Sequence, residues 1–95
     1  MSKRQAYVEK LKTQLDKWNA EIDQMEAKTK EIKAQQKAKY QEQMSSLKRR
    51  RDELTVKIKE INSVAEGTWE ELKKGADDAW EKLKEGIAKA RSYFD

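Results

Sequence analysis

The chain of 95 residues contains no cysteine, no histidine and no proline. Without cysteine it has no disulfide bond, no thiol nucleophile and no thiolate ligand for a metal. Without histidine it lacks the commonest general base and the commonest ligand for transition metals. Without proline, and with only three glycines, little in the sequence interrupts a helix. These absences exclude many kinds of catalytic and metal site and favour long helices.

Apolar residues are also few, at 36% of the chain against 42% charged residues. Such a polar composition is often disordered, but here the charges are mixed with Ala, Leu and Gln, as in coiled coils. No run of about 18 apolar residues occurs and no signal peptide is recognisable, so we expect a cytoplasmic protein without a membrane span. The 22 basic and 18 acidic residues leave a net charge of +4, which permits an anionic partner without requiring one.

The first two thirds of the chain predict one long helix. Ser2 and Gln5 match a capping box, which would start the helix at residue 3. Apolar residues then recur at alternating steps of three and four, the spacing of a coiled-coil seam. The seam has a stutter between Ile32 and Met44, and Arg51 places a charge in it. We expect this face to be a self-association seam made of Val8, Leu11, Leu15, Trp18, Ile22, Met25, Ile32, Met44, Leu47, Leu54, Ile58 and Ile61.

The last third contains an 11-residue tandem repeat, in which residues 68–78 align with residues 79–89. Tryptophan, leucine and glycine each occupy equivalent positions in the two copies. Eleven residues span three helical turns, so the repeat predicts a second helix with a straight apolar stripe. Asn62 and Gly67 mark a connection at residues 62–68 before it. The expected docking or membrane face consists of Trp69, Leu72, Trp80, Leu83, Ile87 and Phe94.

We therefore predict an all-α fold with two units. Residues 1–62 would form a heptad coiled-coil helix (about 3–61), and residues 63–95 an amphipathic helix (about 64–94), together a helical hairpin. The long helix would measure roughly 87 Å, so the short one leaves the stripe from Val8 to Ile32 exposed and a partner is needed. The alternative is a three-helix bundle with a second turn at residues 33–39, although no Gly, Pro, Asn or Asp occurs there.

The charged residues suggest no catalytic site. Nearly all carboxylates have Lys or Arg three or four residues away, which is typical of ion pairs on a helix surface. No Glu-x-x-His motif is available for a metal site in a bundle, so we predict neither enzyme activity, nor a cofactor, nor a bound metal. The densest basic run could contact an anion such as phosphate, but four consecutive residues spread around a helix, and nucleic acid is not favoured. That run is Lys48, Arg49, Arg50 and Arg51.

Several segments resemble a family of small bacterial coiled-coil proteins, found in cyanobacteria and proteobacteria and described as stress-related. The resemblance rests on residues 6–11 (AYVEKL), 14–23 (QLDKWNAEID) and 69–73 (WEELK), and on Ala79 and Trp80. It spans most of the chain and implies a bacterial cytoplasmic coiled coil. It carries over no catalytic or ligand residues.

Two functions follow as hypotheses. The first is a non-catalytic, self-associating coiled-coil protein with a structural or protein-interaction role, whose partner is a second copy or another helical protein. The alternative is a peripheral protein that binds a membrane surface through the tryptophan-containing helix, with Trp69 and Trp80 in the interface. Packing of the same tryptophans in a core is the competing explanation for that helix.

Overall fold

Three helices follow one another along the chain: α1 (Lys3–Thr29), α2 (Ala34–Ser63) and α3 (Trp69–Phe94). The computed structural model describes residues 2–94, and of Phe94 it describes only the backbone. Within these residues every regular element is a helix, so the predicted all-α fold is confirmed.

The start of α1 is closed by the predicted capping box. The Ser2 hydroxyl accepts a hydrogen bond from the amide of Gln5 at 3.1 Å, and the Ser2 amide donates to the Gln5 side chain at 3.4 Å. Each residue thus satisfies a donor that the helix leaves unpaired at its first turn. Ser2 and Gln5 together therefore set where α1 begins.

The single helix predicted over residues 3–61 is wrong, because α1 ends at Thr29 and α2 begins at Ala34. Lys33 between them has an extended backbone (φ −59°, ψ 144°). The break lets α1 fold back and bury its apolar stripe in its own chain, a gain of about 1.5–3 kcal/mol for each large side chain. That gain exceeds the helix preference of four residues, which is at most about 0.7 kcal/mol each. The alternative three-helix bundle fits, with the turn a few residues before the predicted 33–39.

The second connection lies within the predicted residues 62–68, and α3 begins at Trp69 rather than at about residue 64 as predicted. The backbone turns out of α2 at Val64, which is extended (φ −91°, ψ 164°). The hydroxyl of Thr68 donates to the carbonyl of Ala65 at 2.9 Å and holds the turn before α3. Gly67 has no positive φ, and a Cβ added there would meet nothing within 4 Å. The turn therefore does not depend on the conformational freedom of glycine.

The three helices lie side by side in a bundle of 51 × 19 × 18 Å. Its long dimension is far below the roughly 87 Å of the predicted long helix. One core runs along the axis and receives the seam residues of α1 and α2. The contribution of α3 to this core is Trp69, Ala76, Ala79, Leu83, Ile87 and Ala90.

Candidate functional site

The predicted self-association seam lies inside a single chain. Of its twelve residues, all but Ile32 are less than a tenth exposed, and Ile22, Leu54 and Ile61 are fully covered. Ile32 is half-buried in the connection between α1 and α2. The expectation that the stripe from Val8 to Ile32 remains exposed is therefore wrong. Its physical reason is the break at residues 30–33, which places α1 against α2 and α3.

The predicted docking or membrane face of α3 also packs inward. Trp69 is buried, and its ring centroid lies 5.8 Å from that of Tyr7 on α1. Trp80 is half-buried, with its ring centroid 4.8 Å from that of Trp18. Leu83 and Ile87 are buried and Leu72 is half-buried, while the side chain of Phe94 lies outside the described residues. Two separate aromatic pairs thus join α1 to α3.

Arg4 fastens the start of α1 to the end of α2. Its guanidinium donates to the carbonyls of Ile61 at 3.2 Å and Val64 at 2.6 Å, and to the carboxylate of Glu66 at 2.6 Å. The last carbonyls of a helix have no partner within the helix, so a cation there satisfies both their hydrogen bonding and the helix dipole. No local pattern predicts this contact, because the partners of Arg4 lie about sixty residues away along the chain.

Tyr7 adds a second polar contact at the same end of the bundle. Its hydroxyl donates to the carboxylate of Asp77 on α3 at 2.5 Å and lies 3.3 Å from the carbonyl of Lys73. Burial, together with the hydrogen bond to Asp77, raises the pKa of the Tyr7 phenol well above its ordinary range. The proton is therefore held, and the contact is a neutral donor to a carboxylate rather than a reactive phenolate.

At the opposite end, α1 is held by two ion pairs on the surface. Glu21 pairs with Arg91 of α3 through two hydrogen bonds, at 2.9 and 2.5 Å. Glu26 pairs with Lys48 of α2 at 2.7 Å, and this hydrogen bond lowers the pKa of the Glu26 carboxyl. Both pairs are substantially exposed to solvent. Exposed pairs of this kind are typically worth about 0.2–1 kcal/mol each.

The basic run does not form one patch. Lys48 pairs with Glu26, Arg50 donates to the carbonyl of Lys82 at 2.8 Å, and Arg51 pairs with the adjacent Asp52 at 3.0 Å. Arg49 is exposed and has no such partner among residues 2–94. Three of the four cations are thus engaged with different parts of the bundle. An anion that approached this region would meet one unengaged cation.

Two shallow grooves border α1. One, of about 360 Å³, lies between the end of α1 and the start of α2, lined by Glu26, Thr29, Met44 and Lys48 among others. The second, of about 430 Å³, runs along α1 beside the half-buried Trp80. Further grooves border α2 and α3, so shallow grooves of this kind do not distinguish α1 from the other two helices.

The two glycines of the repeat have different surroundings. A Cβ on Gly86 would lie 3.0 Å from the Arg50 guanidinium and 3.1 Å from the Leu47 side chain, so glycine lets α2 and α3 approach closely. A Cβ on Gly75 would make only ordinary contacts of 3.8 Å with Lys57. Close helix packing therefore explains Gly86 and does not explain Gly75.

The described residues show no arrangement that points to catalysis. Within residues 2–94 no three carboxylates are grouped in a way that would hold a metal ion. None of the described helices combines the length and apolar character needed to cross a membrane. What the arrangement provides is helix faces, ion pairs and aromatic contacts between helices.

Comparisons with known proteins returned no relative. No family model matches the chain, and neither a curated protein nor a solved structure is significantly similar to it. The resemblance to small bacterial coiled-coil proteins therefore stays a prediction, and the fold and contacts described above are the basis for a functional proposal.

Proposed function

We propose that the protein is non-catalytic and self-associates, with a structural or protein-interaction role carried out through helix–helix contacts. The observation that supports this most is that the apolar residues serve contacts between helices. Except for Val56, which is 51% exposed, the large apolar side chains of residues 2–93 lie at least partly covered on faces where helix packs against helix. The apolar residues of this part of the chain thus serve contacts between helices, the kind of contact that self-association would reuse.

The contacts that hold α1 in the bundle give self-association a structural basis. The half of α1 near Thr29 packs through the buried Trp18, Ile22 and Met25, and exposed ion pairs with α2 and α3 flank this packing. A helix held in this way can exchange its packing partner for an equivalent surface on another chain. The proposal therefore does not need an exposed stripe in the closed bundle.

Size-exclusion chromatography with multi-angle light scattering at several protein concentrations tests the proposal. We expect a dimer whose proportion rises with concentration. A species with the mass of one chain at every concentration, including after refolding at high concentration, would contradict self-association. Crosslinking of surface lysines at the same concentrations provides an independent measure of the dimer.

The second candidate function is binding to a membrane surface through α3. It is favoured by the two aromatic pairs between α1 and α3, Tyr7 with Trp69 and Trp18 with Trp80, and by the partial exposure of Trp80. Tryptophan prefers the boundary between headgroups and acyl chains, so separation of α3 from α1 would expose a face suited to lipid. This function requires the bundle to open, because Trp69 is buried in the closed form.

Flotation with vesicles of anionic phospholipid tests the membrane candidate. Trp80→Ala should weaken binding because it removes an aromatic anchor from α3. Leu54→Ala is the matched control, since it also weakens the core but leaves the face of α3 intact. Equal binding of the two variants, or no flotation of the unmodified protein, would reject this candidate.

A further inference from the structure

We propose that residues 30–33 are a hinge, and that the chain straightens there to exchange α1 with a second copy of itself. In the product, α1 and α2 form one continuous helix in each chain, and α1 of one copy packs against α2 and α3 of the other. This inference rests on the proposed self-association and specifies its mechanism and its partner.

The backbone at residues 30–32 keeps part of the hydrogen bonding of a helix. Lys30 has helical dihedral angles (φ −67°, ψ −22°). The amides of Lys30, Glu31 and Ile32 donate to carbonyls three residues earlier, at 3.0–3.2 Å. Of the two capping residues, Lys30 at the end of α1 and Lys33 at the start of α2, only Lys33 is extended, with a ψ of 144°. A change in few backbone angles therefore joins the two helices.

The connection also lacks residues that would hold a turn. Lys30, Glu31, Ile32 and Lys33 include no glycine, proline, asparagine or aspartate, and all can continue a helix. At the start of α2, Lys33 makes no side-chain cap to the amides within the described chain. In a straight helix these amides would find carbonyl partners in the preceding turn. The local sequence thus favours the straight form, and only the packing of α1 favours the bend.

The spacing of the two seams fits a continuous helix. Each of five buried residues of α1 has a buried apolar counterpart 36 residues later in α2. Thirty-six residues are ten full turns at about 3.6 residues per turn, so in a straight helix both seams would lie on the same side. If α1 and α2 were joined only by a flexible turn, their seams would not need to lie on the same side of one continuous helix. The pairs are Val8 and Met44, Leu11 and Leu47, Trp18 and Leu54, Ile22 and Ile58, and Met25 and Ile61.

A second copy is the partner that this seam fits. In the closed bundle α1 runs antiparallel to α2, and two straightened chains placed antiparallel about their hinges would restore that arrangement twice. The contacts of Trp18 with Trp80, Tyr7 with Trp69 and Glu21 with Arg91 would then form between chains instead of within one. No new surface is needed, because exchange of an identical element reuses the interface of the monomer.

The hinge segments themselves repel each other. Lys28, Lys30, Lys33 and Lys37 surround a single carboxylate, Glu31, and two such segments would meet at the centre of the dimer. Salt screens the repulsion between these lysines, since the Debye length falls from about 30 Å at 0.01 M to about 3 Å at 1 M. The proportion of dimer should therefore rise with ionic strength, opposite to an assembly held by ion pairs.

The decisive experiment measures a distance within one chain. Because the chain has no cysteine, Lys3→Cys and Asn62→Cys introduce two unique sites for spin labels, both on exposed residues. In the closed chain the labels are close, since the neighbouring Arg4 contacts Ile61. In a straightened chain they are about 88 Å apart, at about 1.5 Å per residue. Doubly labelled protein is refolded at high concentration with an excess of unlabelled protein, and the dimer fraction is isolated.

Loss of the short distance in the dimer, with its retention in the monomer, supports the exchange. A dimer that keeps the short distance overturns the hinge mechanism but leaves the proposed self-association standing. A protein that is monomeric under every refolding condition overturns both.

Lys33→Pro provides the matched perturbation. Lys33 has a φ of −59°, which proline adopts, and its amide donates no hydrogen bond within residues 2–94. Proline also disfavours helical angles at the preceding residue, and Ile32 lies in a bend rather than in a helix, so the change suits the closed bundle better than the straight helix. Inside a straight helix proline costs about 3 kcal/mol, roughly a hundredfold for each hinge and about ten-thousandfold for the dimer. Lys33→Gly should lower dimerisation about thirtyfold, and Lys33→Ala should preserve it. Equal dimerisation of Pro, Gly and Ala variants would overturn the proposal, and circular dichroism confirms that each variant is folded.

Discussion

The two connections of the bundle are built differently. The connection at residues 64–68 is held by side chains: Arg4 binds the carbonyls at the end of α2, and Thr68 closes the turn before α3. The connection at residues 30–33 has no comparable support among the described residues, and the amides of residues 30–32 only donate to carbonyls three residues earlier. The comparison shows that one bend is specified locally, whereas the other is imposed by the packing of α1.

The largest expected effect is a loss of stability at the supported connection, residues 64–68. Arg4→Ala should destabilise the protein by about 2 kcal/mol, because two carbonyls and a carboxylate lose a charged donor that is largely shielded from solvent. Urea unfolding followed by circular dichroism measures the free energy. Lys3→Ala is the control on an exposed neighbour and should change stability by less than about 0.5 kcal/mol. Equal effects of the two changes would show that Arg4 does not hold this connection.

The next largest expected effect is a gain in stability at the unsupported connection, residues 30–33. Lys33→Asp should stabilise the closed bundle by about 1 kcal/mol, because Lys33 is the N-cap of α2 with extended backbone and no capping side chain within the described residues. Lys33→Ala controls for loss of the lysine and should not stabilise to this extent. If both variants have the same melting temperature, the missing cap is not what distinguishes the two connections.

Glycine in the supported turn should be replaceable. Gly67→Ala is expected to stabilise by about 0.4–1 kcal/mol, because the φ angle of Gly67 is not positive, a Cβ meets no neighbour, and alanine restricts the unfolded chain. Gly86→Ala is the contrasting variant, since its Cβ would press against Leu47 and Arg50. A gain for Gly86→Ala as large as that for Gly67→Ala would contradict the close approach of α2 and α3.

The smallest expected effect is a pH dependence of stability that arises at only one end of the bundle, the end near the hinge. The pKa of Glu26 is lower in the fold than in the unfolded chain, owing mainly to its hydrogen bond with Lys48. Its contribution is therefore present above the unfolded pKa and is lost as pH falls through the folded pKa. Because the pair is exposed, we expect about 0.5 kcal/mol or less. Glu26→Gln should remove this part of the acid dependence, and a variant with an unchanged pH profile would show that the pair does not stabilise the end near the hinge.

Much of the fold could be predicted because its signals are local. The capping box of Ser2 and Gln5, the boundary at residues 62–68 and the inward face of each helix all follow from spacing within a few residues. The break after Thr29 could not be predicted with the same rules, because every residue of the connection favours a helix. It depends on contacts between residues far apart in the chain.

The contacts that hold α1 escaped sequence reasoning for a related reason. Arg4, Tyr7 and Arg91 look like ordinary surface residues of a charged helix, and their partners are 57–70 residues away. Spacing along one helix identifies which side chains share a face, but it does not identify which face of another helix they meet. Only the packed bundle pairs Tyr7 with Asp77 and Trp18 with Trp80.

The sequence by itself determined that this chain is helical, where its apolar faces lie and that a connection precedes the last helix, because these depend on periodicity and local hydrogen bonding. The tertiary structure alone decided that α1 turns back after Thr29 and covers its own seam. The physical reason is that helix propensity acts within a few residues, at tenths of a kcal/mol each, whereas burial of a whole apolar stripe sums over many side chains.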